Sequence, residues 1–152
     1  MYKIVLDTNV LIDSIYDNHS FAYKILELGT EGNVLFYASH QISKEYQLII
    51  DRLVKNENDR NFLQNFISRI NVVQPKKKYA ACEADQEDSK FVDVAVEARA
   101  DFIISKDSHL LEMVEFKGTK MIEAEDFYYK NKSEKDESGD AEWGDAFRNL
   151  FR

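Results

Sequence analysis

Acidic residues at the ends of short apolar runs are the feature of this chain best suited to chemistry. Ile4-Val5-Leu6 is a continuous apolar run with the length of a buried parallel strand, and it stops at Asp7, followed by the cap- and turn-favouring Thr8 and Asn9. Phe102-Ile103-Ile104 repeats the pattern and leads through Ser105 and Lys106 to Asp107. In an open α/β sheet, ligands bind outside the carboxyl ends of the strands, so both acids face the functional edge. Two more acids arrive on helices. Asp88 opens the helix before the second of these strands, and Glu45 lies one to two turns into the helix after Val34–Ala38. In a right-handed parallel sheet all four can converge at one edge.

Converging carboxylates repel one another unless a cation sits among them, and oxygen ligands without Cys or His suit the hard ions Mg²⁺ or Mn²⁺. Such an ion keeps waters, one of which can become a nucleophile while the charge of a phosphodiester is neutralised. Each acid has a competing reading. Asp7 could simply cap a helix. Asp51 competes with Glu45, which is nearer the strand end. Asp85, Glu87 and Asp93 compete with Asp88: Asp85 as a cap or a contact to a water of the metal, and Asp93, about 140° further around the helix, as a solvated or supporting acid. Ser105, a hydroxyl two residues before a strand-end acid, is placed to orient it. Ser39 and His40 are sequence neighbours rather than a positioned nucleophile and base, so no covalent mechanism is indicated.

The elements that must carry these residues alternate between strand and helix, which predicts a mostly parallel α/β sheet. Helices are expected from Val10, from Phe21 with Ser20 as its cap and Gly29 and Gly32 closing it, from Ser39, around Phe62–Ile70, over about 88–98, and over 109–114. Strands are expected at Val34–Ala38, Val72-Val73, Asp101–Ser105 and Lys120–Ile122. Residues 130–140 contain no apolar side chain and predict a flexible linker. Trp143, Phe147, Leu150 and Phe151 then form an apolar helical stripe that must pack on this body, a second copy or a partner. The expected division is a body over 1–129 and a charged linker with an amphipathic segment over 130–152.

Length and composition bound the rest. The chain has 152 residues, 44% hydrophobic and 32% charged, which is one domain with a substantial core. No apolar run approaches the roughly 20 residues of a membrane span, and no secretory signal pattern is visible at the N-terminus. Cys82 is the single cysteine. An intrachain disulfide and a cysteine-based zinc site are therefore excluded, and a cytoplasmic location is expected. His19, His40 and His109 are not spaced as a ligand set. A net charge of −8 argues against a non-specific nucleic-acid binder. Acids gathered around a metal would account for part of that surplus. Lys44, Arg52, Lys76-Lys77-Lys78 and Lys106 are the basic residues available to contact a phosphate near the acids, although a lysine run is more often a solvated loop.

Taken together, Asp7-Thr8-Asn9-Val10-Leu11, Glu45, Asp85 to Phe91 with Ala95, and Ala100 to Asp107 with Leu110-Leu111 resemble the PIN domain. Within it they are similar to the VapC-like bacterial subfamily described as toxin components of toxin–antitoxin systems. The resemblance covers roughly residues 1–127. It implies a three-layer α/β/α fold and metal-dependent endoribonuclease activity with Mg²⁺ or Mn²⁺. Asp7, Glu45, Asp88 and Asp107 match the family's acidic positions. Asn9 and Ser105 match the polar positions that hydrogen-bond them, with Ser105 standing where threonine is commoner. Expected partners are an RNA substrate, an antitoxin protein and a second copy of the chain, with no membrane. A non-catalytic PIN-like module binding RNA or protein is the alternative from another class. An aspartate-nucleophile phosphatase is weaker, because Asn9 stands where its second Asp is needed.

Overall fold

The computed structural model describes residues 1–83 and 85–150, with side chains through residue 137. Strand β1 (Tyr2–Leu6) is followed by α1 (Thr8–Tyr16) and α2 (Phe21–Thr30), then by β2 (Val34–Ala38), α3 (His40–Leu53), α4 (Glu57–Ser68) and β3 (Asn71–Val72). After an irregular segment come α5 (Gln86–Ala98), β4 (Phe102–Ile104), α6 (Ser108–Met113), β5 (Glu115–Phe116), β6 (Thr119–Ile122) and α7 (Ala124–Leu150).

The six strands lie in the order β3-β2-β1-β4-β6-β5, all parallel except the β5–β6 hairpin. The chain moves one way along the sheet from β1 to β3, then crosses back through α5 to β4. Right-handed crossovers place helices of opposite travel on opposite faces, which gives the three-layer α/β/α architecture. The reversal occurs between β1 and β4, whose register pairs Ile4 with Phe102 and Leu6 with Ile104. That crevice is the topological switch point of the sheet.

The apolar runs behave as a doubly covered sheet requires. Ile4, Val5, Ile103 and Ile104 are fully buried, and α5 covers β1 and β2 with Phe91, Val92, Val94 and Ala95. Ser20 and Ser39 cap α2 and α3 by accepting from the Tyr23 and Ile42 amides, as expected. Gly29 does not close α2. It sits buried within the last turn, and a Cβ there would come 1.9 Å from Cε2 of Phe36. Its role is close approach of helix to sheet; Gly32, at φ +77°, makes the turn. The β5 strand was invisible to sequence patterning because two residues carry no periodicity.

The expected linker over 130–140 is helical instead, since α7 runs from Ala124 to Leu150 across it. Absence of apolar residues removes a core-facing stripe but not helix propensity, which Lys and Glu supply. Lys130 and Glu134 pair at i,i+4 across 3.4 Å, and Glu134 accepts from the Tyr2 hydroxyl at 2.5 Å. Phe127, fully buried, packs edge-on against Tyr2 and Phe102 and anchors the first turns of α7 to β1 and β4. The expected Trp143 stripe lies outside the residues whose side chains are described. No described helix is long and apolar enough to cross a membrane.

Candidate metal centre

Asp7 and Asp107 flank the switch point from the ends of the two central strands. Each caps the helix that follows: Asp7 accepts from the Asn9 amide at 3.2 Å, and Asp107 from the His109 amide at 2.8 Å. The capping reading and the functional one are therefore compatible, because each cap uses Oδ1 alone. Ser105, fully buried between the strands, ties the two acids together. Its hydroxyl donates to Asp7 Oδ2 at 2.7 Å and accepts from the Asp107 amide at 3.0 Å. Asn9 meets Asp7 through its backbone N–H, and its side chain is exposed.

Helix α5 delivers the other acids. It begins at Gln86 rather than Asp88, with Asp85 as its cap accepting from the Glu87 amide at 3.0 Å. Asp88 is then in the first turn and buried, and its Oδ2 has no hydrogen-bond partner. Asp85, Asp88 and Asp107 each present a carboxylate oxygen within 4.8 Å of the others. The Asp88 carboxyl is pushed up to about 7, first by burial, then by the adjacent Asp107 carboxylate and the charges of Asp85 and Asp7. Asp7 is also raised by burial, against the opposing hydrogen bonds from Ser105 and Asn9.

Glu45 is near enough to Asp7 for its charge to help raise that carboxyl, but it has partners of its own. It accepts from Thr8 Oγ1 at 3.3 Å and pairs with Lys90 Nζ at 2.6 Å, and Lys90 also reaches Glu87 at 3.2 Å. Burial works against the Lys90 charge, but the two carboxylates outweigh it and raise its pKa. Lys90 and Tyr46 are the residues that sequence reasoning missed. Tyr46 reads as one apolar position of α3, yet its buried hydroxyl donates to the Leu6 carbonyl, fixing α3 to the strand end beside Asp7. Lys90 follows Asp88 by two positions, and only the tertiary fold brings it to Glu45.

The remaining expected residues are dispersed. Asp93 is buried away from the cluster and accepts from the Tyr79 amide at 2.9 Å, so it is neither solvated nor beside the other acids. Lys44 and Arg52 are exposed on α3, with Arg52 in the last turn, far from the carboxyl edge. Lys76, Lys77 and Lys78 are exposed on the segment after β3. Lys106 pairs with Asp13 at 2.8 Å.

An all-carboxylate donor set and a buried oxygen without a partner suit a hard divalent cation. Fold and site together define an α/β protein with an acid cluster at the switch point of its sheet. The chain belongs to the PIN domain family, whose sequence model matches residues 3–109. The uncharacterized protein MJ1680 of Methanocaldococcus jannaschii is 32% identical over 117 residues, covering 73% of this chain and 74% of that protein. The fold also resembles a chain in the crystal structure of VapBC2 from Rickettsia felis bound to a DNA fragment from their promoter. The TM-score is 0.54 at 18% identity, over 80% of this chain and 98% of that one, a likeness of fold alone.

Proposed function

We propose that this protein is a metal-dependent endoribonuclease acting in the cytoplasm on single-stranded or structured RNA. The observation that carries the reading is the gathering of Asp85, Asp88 and Asp107 within 4.8 Å around the unpartnered Asp88 oxygen, with Asp7 held alongside through Ser105. Asp88 and Asp107 would hold Mg²⁺ or Mn²⁺, with Asp7 and Asp85 completing the carboxylate shell. The cation supplies charge neutralisation at a phosphodiester and lowers the pKa of a coordinated water. The chain's own contribution is orientation. Ser105 fixes the Asp7 rotamer and the backbone leading to Asp107, and Lys90 holds Glu45 beside Thr8.

We place the enzyme as the toxin of a toxin–antitoxin pair, supported by the likeness of its fold to a chain of a VapBC2 complex. Cleavage of labelled single-stranded RNA by the purified chain with Mn²⁺ tests the activity. Asp88→Asn and Asp107→Asn are each expected to lower it by about 100-fold or more. Undiminished cleavage by both variants would sink the assignment. The Lys90–Glu45 pair favours one second reading, a PIN-like binding module in which an ammonium takes the carboxylate that a metal would otherwise use. Calorimetry separates the two, since the module binds no Mn²⁺ at millimolar concentration.

A further inference from the structure

We propose that the cavity beside the acid cluster is a subsite that recognises the base of an unpaired nucleotide next to the scissile phosphodiester. The identity of the strand rests on the ribonuclease reading above. The cavity, of about 840 Å³, opens between the start of α3, the segment after β3 and the first turns of α5. That volume is in the range of small-molecule sites and accommodates a nucleotide.

The lining has the chemistry a base requires. Val72, Val73 and Pro75 offer apolar surface to the face of a ring. Gln41, Gln74 and Gln86 bring three amides, each both donor and acceptor, to read its edge. Lys78 also borders the cavity and has no acidic partner among the described residues, which leaves it for a phosphate. The other charged side chains of the lining, Lys90, Glu87 and Asp93, have partners of their own. A base within a duplex cannot present its edge to such a cavity without leaving the stack, so the occupant is an unpaired nucleotide.

The cavity wall is built. The buried Ser89 hydroxyl accepts from the Cys82 amide at 3.1 Å and donates to the Cys82 carbonyl at 3.2 Å. Asp93, also buried, holds the Tyr79 amide, and Glu97 accepts from the Lys76 amide at 3.5 Å. Between these ties Ala80 adopts φ +46°, a left-handed conformation that a non-glycine residue keeps only where its surroundings impose it. Two buried polar side chains of α5 are thus committed to holding an otherwise irregular segment against the helix. A wall fixed before the ligand arrives lowers the ordering cost of binding.

The cavity adjoins the acid-bearing turn of α5 through two of its lining residues. Lys90 and Glu87 line it, Asp88 lies between them on α5, and Lys90 reaches Glu45 at 2.6 Å. A strand leaving the cavity toward the cluster passes the Lys90 ammonium.

Amide NMR of the full ¹⁵N-labelled chain, titrated in EDTA with the four homopolymeric RNA trinucleotides, tests the subsite without metal or cleavage. Shifts are expected within 39–41, 72–80 and 86–94, with the preferred trinucleotide bound at least about tenfold more tightly than the weakest. Gln41→Leu and Gln74→Leu, both at exposed positions, should compress that spread to about threefold or less. Shifts elsewhere, no binding, equal affinity for all four, or a spread that survives both variants would overturn the proposal. A chain that binds in this way but cuts no RNA retains the subsite and loses only the ribonuclease reading. A chain that cuts without shifts in these segments loses only the subsite.

Discussion

At the scale of single residues, Asp88 concentrates the electrostatic tension of the site. Its pKa of about 7 against an ordinary 3.8 means that the folded protein binds this proton more tightly than the unfolded chain does. The resulting stabilisation is complete below about pH 4 and is lost as pH rises to about 7. Thermal unfolding in EDTA should therefore show falling stability across that window, and Asp88→Asn should flatten the fall. At pH 7.5 added Mn²⁺ should raise the melting temperature of the wild type and leave that of Asp88→Asn nearly unchanged, because the cation stabilises only a state that can bind it. Ser105 acts through both strand-end acids. Ser105→Ala removes the donor to Asp7 and the acceptor for the Asp107 amide. We expect a loss of about 1–3 kcal/mol in urea unfolding and roughly tenfold lower RNA cleavage. Ser105→Thr, which keeps the hydroxyl, should restore most of the activity.

At the scale of elements, the site depends on helices that are brought close to strand ends and locked there. Tyr46 fixes α3 to the end of β1, Ser105 bridges β4 to Asp7, and Asp85 sets where α5 begins. On the face shared with α3, Gly29 lets α2 approach Phe36 of β2. Gly29→Ala must displace that ring, and overpacking of this kind costs about 1–3 kcal/mol. Scanning calorimetry should register the loss, and Phe36→Leu in the same chain should recover part of it. The irregular segment between β3 and α5 had no periodicity to read. Its Lys76–Lys78 run and single proline fitted a loop, but the ties from Ser89, Asp93 and Glu97 that fix its course come from a helix that follows it.

At the scale of the whole molecule, α7 ties the late part of the chain to its first strand. Phe127 and Asn131 are buried, and Glu134 meets Tyr2. Truncation after Glu123 removes Phe127 and should cost about 3–5 kcal/mol, the value of deleting a fully buried phenylalanine. Light scattering of a chain truncated after Glu137 against the full chain tests whether the last residues mediate assembly.

The sequence by itself determined the strand–helix alternation, the caps at Ser20 and Ser39, and the two apolar runs that end in acids, because these are local patterns of period and composition. It also carried the family, through motifs whose order and spacing survive without a structure. The tertiary fold alone decided which acids come together. Asp85 joins Asp88 and Asp107, while Glu45 is paired to Lys90. Asp93, on the same helix as Asp88, is turned to a different task. These outcomes depend on contacts between residues far apart in the chain, and no local pattern encodes them. The same holds for the polar stretch after residue 130, whose helix is aligned by Tyr2, a residue at the other end of the chain.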